Sequence, residues 1–173
     1  ERNVFITGGY GIHLHSGLSN SVINNYFGTI TGESVPGTIA GDVGIFAEAD
    51  NTTISDNLIV GYTGLPTSTI DTPAGIYLFY SNDNLITNNK IGIDKWGDIA
   101  LGNEVGIFVA WSNGNIIGPD NLIEGNTNHG VELYQATDTT ISNNLIGNCW
   151  QTQVGNDGDG VHLHPVHGST VIE

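Results

Sequence analysis

Methionine is absent from this 173-residue chain, lysine and arginine together number 3, and there is a single cysteine. Each shortage excludes something. The 18 acidic residues stand almost unopposed, giving a formal charge of −15, so the backbone of DNA or RNA is repelled rather than attracted. Anionic lipid and polyuronic acid are disfavoured for the same reason, unless calcium or another cation bridges the two negative surfaces. A lone Cys149 rules out an internal disulfide framework. It reads first as a small buried hydrophobe, with a reactive thiol as the alternative. No run of about 18 apolar residues is present, nor any charged-then-apolar leader. The sequence therefore offers neither a transmembrane segment nor an export signal of its own, and it is expected to be mature or excised from a longer polypeptide. Asn51-Thr52-Thr53 fits a glycosylation acceptor.

What is plentiful is glycine, 25 residues of it, alongside many asparagines, a turn-rich composition unlike that of a helical bundle. These residues recur in order. A Gly-aliphatic-x-apolar block appears as GIHL at 11–14, GIFA at 44–47, GIYL at 75–78, GIFV at 106–109, GVEL at 130–133 and GVHL at 160–163. A second block follows each, clearest as TISDNLI at 53–59, LITNNKI at 85–91 and TISNNLI at 140–146, with variants at 21–27 and 116–123. Both blocks alternate apolar and polar residues with period two, the pattern of short strands with one buried face. A repeat of about 30 residues carrying three such strands winds into coils that stack on one another. The expected fold is all-β, a right-handed parallel β-helix of about six coils. One unit spans 1–173, either a single domain or one repeat of a longer solenoid.

Stacking turns the repeat into columns. Ile12, Ile45, Ile76, Ile107, Val131 and Val161 fall in one inward column, beside Leu14, Ala47, Leu78, Val109, Leu133 and Leu163. Asn25, Asn57, Asn89, Asn121 and Asn144 share a corner, where stacked amides bond along the axis and tolerate left-handed backbone. The pattern resembles the pectate-lyase-like superfamily of parallel β-helix repeat proteins over essentially the whole chain. The insertion IGIDKWGDIALGNEVGI at 91–107 is similar to those of large secreted or surface β-helix proteins. The resemblance implies an extracellular or cell-surface location. It implies no single activity, because such scaffolds carry lyases, hydrolases, epimerases, tailspikes, adhesins and structural arrays.

Chemistry must come from the outward columns. The first is His13, Phe46, Tyr77, Phe108, Glu132 and His162; the second is His15, Glu48, Phe79, Ala110, Tyr134 and His164. Phe46, Tyr77, Phe79 and Phe108 form an aromatic stripe for ligand or lateral contact, or lie beneath long loops. Trp96 and Trp150 sit in those loops, along one edge of the solenoid. His13, His15, His162 and His164 lie too far apart in one chain to share an ion. Head-to-tail stacking would bring them onto neighbouring coils, where they would suit zinc, copper or nickel, or an acid-sensitive switch. Asp157 and Asp159 offer a calcium turn. No cofactor is required by any of this.

Two functional classes follow. The first is a structural or adhesive extracellular solenoid that adds end to end, into a filament or tandem array. STVIE at 169–173 opens a second block and ERNVF at 1–5 closes one, so Asn3, Val4, Phe5, Val171 and Ile172 form the expected junction, with self as partner. The alternative is a polysaccharide-modifying enzyme of the uronate lyase or epimerase type, or a glycan-binding tailspike-like module. Glu132, Tyr134, His162 and His164 are its candidate acid–base groups. Against catalysis, Arg2 is the single arginine, whereas resemblance to pectate lyases implies a catalytic arginine and calcium carboxylates in the cleft. The paired carboxylates of glycosidases, about 5–9 Å apart, have no signature here.

Overall fold

A computed structural model describes residues 2–35, 41–64, 71–147, 154–165 and 168–173. Among these residues there is no helix, and eighteen short strands form three parallel sheets of six strands each. The first sheet is built from the Gly-aliphatic blocks, running Tyr10–Leu14, Val43–Ala47, Ala74–Phe79, Val105–Ala110, Val131–Tyr134 and Val161–Leu163. Each second block splits at its Asn or Asp corner into two strands, such as Thr53–Ser55 and Leu58–Ile59, which join the second and third sheets respectively. The chain is a parallel β-helix. Six strands per sheet are separated by five full turns of about 31 residues, so the repeat count of six coils overstates the number of complete turns by one.

The register follows from the repeat. Ile12 pairs with Ile45, Ile45 with Ile76, Ile76 with Ile107, Ile107 with Val131 and Val131 with Val161. Ile45, Ile76, Ile107 and Val131 are fully buried, as are Ile54, Ile86 and Ile117 from the second sheet. Burying such a side chain contributes on the order of 1.5–3 kcal/mol, repeated at each coil along one continuous core.

The glycine that opens each first block has a steric cause. A Cβ on Gly44 would lie 2.5 Å from the carbonyl oxygen of Gly75, and the same overlap recurs between Gly11 and Gly44 and between Gly130 and Gly160. At the Asn corner the work is divided between neighbours. The left-handed backbone falls on Asn24, Asp56, Asn88, Asp120 and Asn143, one place before the stacked residue expected to adopt it. The following asparagine turns inward instead. The Asn57 backbone N–H and Nδ2 both donate to Asn89 Oδ1, at 3.0 and 3.1 Å, and Asn89 makes the same pair to Asn121. Nδ2 of Asn89 also donates to the Ile54 carbonyl at 2.9 Å. A buried amide is affordable here because its donors and acceptor are all used.

Candidate metal cluster and outer face

The outer face of the first sheet has the register its columns require, with His13 paired to Phe46, Phe46 to Tyr77, Tyr77 to Phe108, Phe108 to Glu132 and Glu132 to His162. Phe46, Tyr77 and Phe108 are almost wholly buried. They form a second apolar cluster with Val43, Ala74, Val105 and Ala110, flanked by Tyr10, Phe79 and Tyr134. The middle of the face is thus a layer of packed rings, with Phe46 edge-to-face on Tyr77 at 5.2 Å between centroids. Burial, then the nearby Asp71 carboxylate, pushes the Tyr77 phenol up to about 12. The polar chemistry is displaced to either end of the layer.

At the first end, His13 Nε2 and His15 Nδ1 donate to the same oxygen of Glu48, at 2.8 and 2.7 Å. His13 and His15 are alternate residues of one strand end, and Glu48 lies beside them on the next coil. These hydrogen bonds, His13 first and then His15, hold the Glu48 carboxyl below the usual carboxylate range. The two imidazole planes are crossed at 75°. Ring-nitrogen lone pairs lie in the ring plane, so crossed rings can direct theirs to one point.

At the other end, His162 Nδ1 donates to Asp159 Oδ2 at 2.6 Å, and His129 Nδ1 lies 3.7 Å from that oxygen. Two imidazoles and a carboxylate again meet, in a different geometry. His129 and His162 are stacked, 4.2 Å apart and 15° from parallel, so their in-plane lone pairs run side by side. His129 Nδ1 also accepts the backbone N–H of Asp159 at 3.0 Å, which occupies its lone pair. Among the described residues these are the two groups whose three ligand atoms all lie within 4.8 Å of one another.

The remaining candidates sort by position. Within one chain, His13 and His15 belong to one end and His162 and His164 to the other. Asp159 is turned toward histidines, and Asp157 is not part of that group. Glu132, Tyr134 and His164 line one open groove, where His164 Nε2 lies 2.9 Å from Glu132 Oε1. Trp96 is exposed beneath the Lys95 ammonium, while Trp150 and Cys149 lie outside the described residues. Asn3 donates to Asn25 Oδ1 at 3.1 Å and extends the ladder, Phe5 stacks on Phe27, and Val4, Val171 and Ile172 are exposed.

Two residues of these clusters, Glu48 and His129, were not among the metal-site candidates read from the sequence. Glu48 already stood beside His15 in the second outward column, and that adjacency was the signal. His129 precedes Gly130 as Asp159 precedes Gly160, so alignment on the glycines would have placed them on neighbouring coils. A comparison with protein families matches residues 44–173 to the model described as NosD, periplasmic copper-binding protein. A search of the curated proteins found no match.

Proposed function

The chain belongs to the NosD family, described as periplasmic copper-binding protein, and from that premise we propose that it binds copper(II) through His13, His15 and Glu48. The carrying observation is the convergence of two crossed imidazoles on one carboxylate oxygen, at 2.8 and 2.7 Å. The donor set fits the metal. Imidazole and carboxylate suit copper(II), which leads the divalent first-row series in affinity for such sites. The soft thioether ligands that favour copper(I) are missing, since the chain has no methionine. Glu48 falls inside the family match and the two histidines precede it, so the cluster combines matched sequence with residues of the coil before it. Copper would find a site already assembled by hydrogen bonds, each ring presenting its contacting nitrogen as a lone pair with the N–H carried on the other ring nitrogen.

Titration with copper(II), followed by electron paramagnetic resonance, tests this reading. One ion per chain with coupling to two imidazole nitrogens is expected. Unchanged binding in a His13→Ala, His15→Ala double variant would sink it. Acidification from about pH 7.5 to about pH 5 should release the ion, because imidazole ligates only when deprotonated.

A second reading concerns assembly. Six strands of one repeat pair in a single parallel register from Tyr10–Leu14 to Val161–Leu163, which supports stacking of like units, as in a structural or adhesive array with self as partner. Sedimentation of the chain over a wide concentration range, with imaging for fibres, tests it. A strictly monomeric species at every concentration refutes self-addition.

A further inference from the structure

The corner after the first sheet is where the chain departs most from its own repeat. Among the described residues, non-glycine left-handed backbone falls on asparagine, aspartate or serine everywhere except at Tyr80, Trp111 and Gln135. Asn and Asp tolerate that conformation through local hydrogen bonds, whereas an aromatic residue there is strained. The strain at Tyr80 (φ 47°) and Trp111 (φ 49°) gains little burial in return. The two residues remain 59% and 38% exposed, and their rings lie nearly parallel, 16° apart with centroids at 5.7 Å. Strained residues of this kind gather at ligand clamps.

Trp111 also opens onto a groove of about 500 Å³. Phe79, Trp111 and Tyr134 supply its aromatic wall, and Asp71, Glu132 and His164 its polar side. No lysine or arginine lines it. Arg2 stacks on Tyr26, Lys95 pairs with Glu33, and Lys90 faces a different cleft. Charge selects the occupant: two carboxylates without a compensating cation repel uronates, phosphates and sulfates. Packing narrows it further. Phe79 meets Trp111 edge-on at 5.5 Å and 89°, and Trp111 meets Tyr134 at 4.9 Å and 71°. The rings fill the space between themselves, leaving a shelf rather than the cage a quaternary ammonium requires.

We infer that this corner is a binding platform for a neutral pyranose oligosaccharide. One apolar sugar face stacks on Trp111, with Tyr80 extending the shelf to the preceding coil, and ring hydroxyls donate to Glu132 and Asp71. His164 Nε2 lies 2.9 Å from Glu132 Oε1 and flanks that carboxylate on the next coil. The platform is separate from the His13, His15 and Glu48 cluster, so binding persists in chelator.

The test is isothermal titration of the full chain, in chelator, with cellohexaose, xylohexaose and mannohexaose, set against oligogalacturonate and choline. At least one neutral hexamer should bind, while oligogalacturonate and choline do not. Trp111→Asn should weaken binding at least tenfold, Tyr80→Asn a few-fold, and Glu132→Gln several-fold. Because asparagine suits left-handed backbone, both corner variants should unfold at the same or higher urea concentration, which separates loss of a ligand contact from loss of fold. Three results overturn the inference: no neutral hexamer binds at millimolar concentration, the anionic or cationic probe binds instead, or Trp111→Asn binds as tightly as the native chain.

Discussion

The asparagine corner and the outer column of the first sheet run side by side through the same coils, yet they spend their polar groups in opposite ways. In the corner, Asn25, Asn57, Asn89 and Asn121 repeat the same residue, and each amide is taken up by the next. In the outer column the residue changes from His13 through Phe46, Tyr77 and Phe108 to Glu132 and His162. Repetition saturates valence along the axis and leaves nothing to offer a ligand. Departure from repetition leaves imidazoles and carboxylates pointing sideways, and the candidate metal cluster arises there.

Breaking the saturated column should have the largest effect. Asn89→Ala strands the Asn57 backbone N–H in the core and removes a bond from the Asn57 side-chain amide, at a cost of about 3 kcal/mol. Urea unfolding followed by circular dichroism would register it as a lower midpoint, with copper affinity per folded molecule unchanged. In the unsaturated column the balance reverses. Glu48→Gln should weaken copper(II) on the order of 30-fold, about 2 kcal/mol, with little change in the unfolding midpoint.

A smaller effect concerns acid. The Glu48 carboxyl is held below its ordinary range in the folded chain, so its stabilising contribution is present above the unfolded value and disappears as pH falls through the folded one. The stability of the native chain and of Glu48→Gln should therefore differ by less than about 1 kcal/mol at neutral pH, given the exposure of the pair. The two curves should converge once the pH lies below the folded Glu48 value, itself under the ordinary carboxylate range. Least of all is expected from the stacked end. His129→Ala and His162→Ala should each alter copper affinity by less than about threefold, measured by competition with a chromophoric chelator. A large loss there would transfer the site from the crossed rings to the stacked ones.

Periodicity made the inward columns, the register and the Asn57–Asn89–Asn121 ladder legible before any coordinates, because parallel stacking equates every residue with its counterpart about 31 positions on. It was blind where the residue type changes or where neighbours in space are not counterparts in the repeat. Thr52, Asn84 and Asn115 form a second ladder, and Asn103, Asn126 and Asn156 a third. The second ladder is in step with the repeat, each member one place before a second-block strand, and went unread because Thr52 breaks the run of asparagines; the third is displaced by one place relative to its glycines between Asn103 and Asn126. The near-complete burial of Phe46, Tyr77 and Phe108 depends on what packs over a sheet, which alternation cannot report. Ring planes are a further case: His13 and His15 alternate along one strand end and cross at 75°, whereas His129 and His162 come from neighbouring coils and stack at 15°, and letters report neither angle.

The glycine column has a consequence for how such a chain grows. Since the carbonyl of one coil occupies the place a methyl group would need on the coil before it, as between Gly44 and Gly75, adjacent turns fit through bare backbone at that position. At that position a further segment of about 31 residues can be added without matching side chains to its neighbour, while a single alanine in that column would wedge two turns apart.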